Sequence, residues 1–255
     1  MRLTTLGTGT VSLSQTRVCA GHLVEGGDVR LLMDCGSGVA HRLAQLGLDW
    51  AGITHVAFSH FHTDHISDFP TLVQAWRYGQ LPPRAEALTV VGPAGTAALL
   101  GHMADLHGTW LLDPGFPIAV VELVPGAIHE LGTGTAIDCV KVPHSEESVA
   151  YSIRRGGRRL VYTGDMGYDP MFAEWARGTD LLLCECSLPE ELAIDSHLTP
   201  ARCGALAAAA LPKHLVLTHF YTPVERMDVR GAVAAHYAGP VSLAEDGSTF
   251  EIEED

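Results

Sequence analysis

Positive charge is what this sequence has least of. Its 255 residues include 16 Lys and Arg against 30 Asp and Glu, a formal charge of −14. Such a balance repels polyanions at long range unless a local basic patch compensates. The one dense basic cluster, Arg154-Arg155-Gly156-Gly157-Arg158-Arg159, reads as a charged hairpin turn with two glycines between short strands. Nucleic acid is therefore not the expected partner.

Long apolar runs are missing too. None has the roughly 20 residues that a bilayer-spanning helix needs, so no membrane association is expected. The start, Met1-Arg2-Leu3-Thr4-Thr5-Leu6-Gly7-Thr8-Gly9, lacks the continuous apolar stretch of a secretion signal, and a cytoplasmic protein is expected. Six cysteines, at 19, 35, 139, 184, 186 and 203, are too sparse for the disulfide framework of a small secreted domain and read as reduced. Cys184 and Cys186 flank a glutamate on an apolar strand; they could form a metal pair, but packing into a core is the favoured reading. No linker rich in Ser, Pro or Gly divides the chain, so residues 1–255 are expected to form one domain. With 47% hydrophobic residues they can bury a sizeable core.

What is present is an alternation of short β-like runs with helical stretches, the pattern of a layered α/β fold. Residues 30–33, 55–59, 88–91, 160–163, 181–184 and 215–218 read as buried strands. Helices are expected at 39–46, 66–78, 95–103, 170–177 and 201–210, the last with Thr199 as N-cap, Pro200 at the first helical position and Pro212 beyond its end. Asp34, His60, Asp165, Glu185 and His219 each follow one of these strands. Polar residues at the carboxyl ends of several strands are how an α/β protein assembles one site from distant parts of its chain.

The segment Ser59-His60-Phe61-His62-Thr63-Asp64-His65 sets three imidazoles and a carboxylate directly after a strand and runs straight into an apolar helix. Imidazole suits zinc, iron and related divalent ions, and a carboxylate among histidines can take a second ion or act as an acid. This segment resembles the His-x-His-x-Asp-His signature of the metallo-β-lactamase superfamily, and the rest of that family's pattern follows in order. Val142-Pro143-His144-Ser145 is similar to its next ligand histidine, Tyr162-Thr163-Gly164-Asp165 to its bridging aspartate and Leu217-Thr218-His219 to its last ligand. Asp34 resembles its buried structural aspartate, which supports the ligand loop.

The resemblance implies an α/β fold of the metallo-β-lactamase type, an αββα sandwich of two mixed β-sheets flanked by helices. It implies His60, His62 and His144 on one metal, Asp64, His65 and His219 on another, and Asp165 bridging them. Zinc is the expected ion, with manganese or iron acceptable to the same donors. Two ions about 3.5–4 Å apart would activate a bridging water and orient an ester for hydrolysis. Asp64 counts among the catalytic residues on this reading. Within the superfamily the chain looks like the ribonuclease Z branch, which also holds small phosphodiesterases and arylsulfatases. Leu6-Gly7-Thr8-Gly9-Thr10 with Arg17 resembles that branch's glycine-rich start. Leu183-Cys184-Glu185-Cys186 and Ser196-His197-Leu198-Thr199 resemble its glutamate and its His-Ser-Thr loop, so that His197 and Glu185 inherit the handling of the scissile phosphate. A homodimer is implied as well.

Two departures argue against processing of transfer RNA. No basic, glycine-rich arm lies between His65 and His144, where residues 81–116 are instead apolar and punctuated by proline. The second departure is the acidic net charge, together with Leu198 where that branch usually has serine. The expected substrate is a small or nucleotide-like phosphodiester. Sulfate esters, lactones and other carboxylic esters are the alternative, a non-catalytic metal-binding protein the third. His102, His107 and Trp110 are candidates for the pocket wall, and Trp76 and Tyr78 for core or interface.

Overall fold

The computed structural model describes residues 1–253. Two seven-stranded sheets lie between helices, matching the expected αββα sandwich. The first sheet contains β1 (Arg2–Gly7), β2 (Gly21–Gly26), β3 (Val29–Met33), β4 (His55–Ala57), β5 (Leu88–Gly92) and β6 (Ile118–Glu122). The second contains β7 (His129–Gly132), β8 (Thr135–Lys141), β9 (Val149–Arg155), β10 (Arg158–Tyr162), β11 (Leu181–Glu185), β12 (His214–Thr218) and β13 (Val241–Leu243). The last strand, β14 (Thr249–Glu251), returns to pair antiparallel with β1. Within each sheet four consecutive strands run parallel, β3 to β6 and β10 to β13.

Strand periodicity divides the apolar residues between two faces. Leu31 and Met33 of β3, Leu160 and Tyr162 of β10 and Leu181 and Leu183 of β11 meet in the core between the sheets. Their neighbours Val161, Leu182 and Cys184 face outward onto helices α5 (Pro170–Trp175), α6 (Pro200–Ala210) and α7 (Val229–Ala234). Leu32, Val56 and Val90 do the same beneath α1 (Val39–Gln45), α3 (Phe69–Tyr78) and α4 (Thr96–His107). Cys184 and Cys186 are thus core residues, and all six cysteines are free thiols.

The helix expected over 66–78 is two. A short α2 (Thr63–Ile66) stops, and α3 restarts with Asp68 before it and Pro70 in its first turn. Proline has no N–H to continue a ladder from the preceding turn, so the break falls there. The turn between β9 and β10 is the anticipated hairpin: Arg155 pairs with Arg158, and Gly156 and Gly157 take φ values of 56° and 76°. Both positive angles are what a two-residue turn matching the strand twist requires. Residues 81–116 build β5 and α4 over the outer face of the first sheet, with Leu100, Ala104, Leu111 and Phe116 buried there. His102 and His107 are exposed on α4, so they cover that face and do not line the site. Trp76 is fully buried, whereas Tyr78 is 65% exposed.

Candidate metal centre

The strand ends deliver one cluster. His60, His62, Asp64 and His65 come from the turn after β4 and from α2, His144 follows β8, Asp165 follows β10 and His219 follows β12. Asp34 and His219 have φ values of 56° and 59°, a left-handed conformation uncommon outside glycine and enriched where function over-determines the backbone.

Asp165 stands between two groups and turns one oxygen to each. Its Oδ2 lies 3.9 Å from His60 Nε2 and 3.8 Å from His144 Nε2. Its Oδ1 lies 3.4 Å from His65 Nε2 and 3.3 Å from His219 Nε2. Asp64 Oδ2 completes the second group, 3.5 Å from His219 Nε2 and 3.9 Å from His65 Nε2. His62 Nδ1 completes the first, 3.1 Å from His144 Nε2. The donor atoms of His60, His62, His144 and Asp165 all lie within 4.8 Å of one another, as do those of Asp64, His65 and His219.

Hydrogen bonds behind the cluster fix which imidazole nitrogens face it. Ser59 Oγ donates to Asp34 Oδ2, so it must accept from His60 Nδ1 at 3.0 Å. Ser187 Oγ donates to Glu185 Oε2, so it must accept from His219 Nδ1 at 2.9 Å. His65 Nδ1 donates to Asp34 Oδ2 at 2.7 Å, and His144 Nδ1 donates to the Ser196 carbonyl at 2.8 Å. Each of these four rings, when neutral, therefore points a bare Nε2 lone pair inward. His60 Nε2, His65 Nε2, His219 Nε2 and Asp165 Oδ1 are buried and have no hydrogen-bond partner among the described residues. Orphaned acceptors gathered around one point are costly unless a cation satisfies them. The donor set, five imidazoles and two carboxylates, fits divalent metal ions.

Burial, then the charge of His65, pushes His60 far below its ordinary pKa, so it is neutral. Burial works against ionisation of Asp64, but His219, with its Nε2 3.5 Å away, and the charge of His65 hold its carboxyl below the usual range. For His65 burial also opposes charge, and Asp165 and Asp34 outweigh it and raise its pKa. A proton on His65 Nε2 and a metal ion would compete for that same lone pair.

Beside the cluster, His197 Nδ1 donates to Glu185 Oε1 at 2.9 Å. Glu185 is fully buried and also accepts from the backbone N–H groups of Met166 and Leu198. The His197 ring lies 4.8 Å from that of His144 and stacks 5.8 Å from that of His219. Burial lowers its pKa, but the hydrogen bond and charge of Glu185 win and raise it to about 9. Leu198 donates its backbone N–H to Glu185, and its side chain is buried in the core cluster beneath α6. Thr199 caps α6 by accepting from Arg202 N.

The supporting residues Ser59, Tyr162, Ser187 and Ser196 are ones the sequence did not single out. Tyr162 donates to Asp34 at 2.8 Å across 128 positions of chain, a pairing without any local signal. Asp246 is another. It accepts from Thr8 N, Thr8 Oγ1, Val18 N and Arg42 Nη2, and Thr8 in turn offers its carbonyl to Phe220 N next to His219. The glycine-rich start is therefore a brace for the last histidine loop.

Residues 29–220 match the model of the β-lactamase superfamily domain. An uncharacterised Mycobacterium leprae protein, ML1173, is 33% identical over 99% of this chain and 89% of its own. The probable metallo-hydrolase YhfI of Bacillus subtilis is 26% identical over 98% of this chain and its entire length. Its crystal structure superposes with a TM-score of 0.84 at 24% identity, covering 98% of both chains. The short form of human tRNase Z superposes with a TM-score of 0.79 at 24% identity, covering 100% of both. With the matched span covering well over half of its length, the chain belongs to the β-lactamase superfamily and has the fold of its metallo-hydrolases.

Proposed function

We propose that this protein is a binuclear metal-dependent phosphodiesterase acting on a small or nucleotide-like ester. The observation that carries the two-metal part is the division of the Asp165 carboxylate, with Oδ2 toward His60 and His144 and Oδ1 toward His65 and His219. His60, His62 and His144 would hold one ion, and Asp64, His65 and His219 the other. Two divalent cations, zinc first and manganese or iron by the same donor chemistry, would supply Lewis acidity and a water made nucleophilic near neutral pH.

The chain's own contribution is orientation and proton handling. Asp34, Ser59, Ser187 and the Ser196 carbonyl hold the imidazoles in register. With Nδ1 committed to Glu185, His197 can present a proton on Nε2 to the departing ester oxygen. Glu185 keeps that ring oriented and offsets its charge. Likeness to tRNase Z, whose name is that of a nuclease, supports phosphodiester chemistry. The formal charge of −14 supports a small substrate over a long polyanion.

The test sets bis(p-nitrophenyl) phosphate beside p-nitrophenyl sulfate, p-nitrophenyl acetate and a lactone, with metal-loaded protein. The highest kcat/KM is expected for the phosphodiester. A higher value for sulfate or carboxylic ester would transfer the protein to that class, and inertness with metal bound would indicate a non-catalytic binding protein.

A further inference from the structure

Tyr221 lies beside the cluster and has no part in the ligand set or in its hydrogen-bonded support. Its ring stands edge-on to two site imidazoles at once, 6.2 Å and 74° from His197 and 6.1 Å and 83° from His219. It is half-buried. The backbone beneath it is pinned, with Tyr221 N donating to the Ser187 carbonyl at 3.3 Å and Phe220 N to the Thr8 carbonyl at 2.9 Å. The Arg17 guanidinium lies 4.8 Å over the neighbouring Phe220 ring. Val11 and Leu13, which follow Thr10, are 61% and 99% exposed.

An aromatic ring on a pinned backbone loses little freedom when something is laid against it. Its π-face favours flat rings, in offset or edge-on contact, over small aliphatic groups. It stands as near to His197, the imidazole assigned to the departing ester oxygen, as to His219. We propose that Tyr221 is a substrate-positioning residue that receives a flat, uncharged substituent of the phosphoester, an aryl ring or a heterocyclic base. This rests on the phosphodiesterase reading and narrows it to esters carrying a planar group.

The test is equilibrium binding of phenylphosphonate and methylphosphonate to the metal-loaded protein by titration calorimetry. The two share an anionic head and differ only in the flat group. Wild type is expected to prefer phenylphosphonate by about fivefold or more. Tyr221→Leu should bring that ratio below about twofold with methylphosphonate affinity nearly unchanged, and Tyr221→Phe, which keeps the ring, should retain it. A ratio unchanged in Tyr221→Leu, an equal loss for both ligands, or a ratio lost as fully in Tyr221→Phe overturns the assignment. If wild-type protein binds neither phosphonate, the phosphoester reading itself fails and this inference falls with it.

Discussion

Replacing Asp34 by asparagine separates the support of the site from the site itself. The carboxylate is fully buried and accepts four hydrogen bonds: from Ser59 N, Ser59 Oγ and His65 Nδ1 at 2.7 Å each, and from Tyr162 Oη at 2.8 Å. Alanine would strand four buried donors at about 1–3 kcal/mol each, a sum comparable with the whole stability of a typical domain, roughly 5–15 kcal/mol. That variant would report mainly on unfolding. Asparagine keeps the shape and tolerates φ of 56°. One oxygen remains for Ser59 N–H, and the new NH2 group faces the three donors that met Oδ2. The hydroxyls of Ser59 and Tyr162 can turn to accept. His65 can accept only by moving its proton to Nε2, which removes the lone pair facing Asp165 and Asp64. The expected result is a stability loss of about 1–3 kcal/mol and metal affinity lower by about 10–100-fold on the Asp64–His65–His219 side. Urea denaturation of metal-free protein reads the first, and competition with a chromogenic chelator reads the second. An Asp34→Asn protein that keeps wild-type affinity for every metal equivalent would refute the tautomer argument.

Glu185→Gln should lower kcat on a phosphodiester by about 100-fold or more and leave metal content unchanged, checked by steady-state kinetics and elemental analysis; loss of metal without a rate effect would contradict the role given to His197. Asp246→Ala removes the acceptor of Thr8, Val18 and Arg42 and is expected to cost about 2–4 kcal/mol in urea unfolding, with weaker metal binding through the loosened His219 loop. His22 is fully buried, and burial, with His65 and His219, pushes its pKa down to about 3. A depressed histidine pKa means that the fold favours the neutral ring. Its contribution is therefore intact above about pH 6.5 and lost as pH falls toward 3, at up to about 1.4 kcal/mol per unit. Relative to wild type, His22→Leu should flatten this acid-side loss in urea midpoints taken at pH 7.5 and 5.5. A pH-independent difference between the two proteins would refute it.

The parts of the site legible in the sequence are those where unusual chemistry follows an apolar run. His60 to His65 after β4, Asp165 after β10 and His219 after β12 stand out because ionisable groups at the mouth of a core are expensive. The cradle behind them is illegible for the opposite reason: Ser59 and Ser187 are common residues whose role depends on which carboxylate the fold brings near. Among the elements, β3, β10, β11 and β12 each contain an unbroken apolar run of three or four residues and announce themselves. The strands β1, β8 and β14 mix polar and apolar residues, and their pairing partners, such as Thr4 with Thr249, lie far along the chain. The break before α3 was signalled by Pro70, but the apolar periodicity on either side masked it.

The central claim is that one carboxylate, Asp165, joins two cation sites. The most direct measurement is metal stoichiometry by elemental mass spectrometry on wild type and Asp165→Ala, after loading with zinc and desalting. Two equivalents in wild type, falling to one or none in the variant, are predicted. A single equivalent in wild type that survives Asp165→Ala would contradict the account.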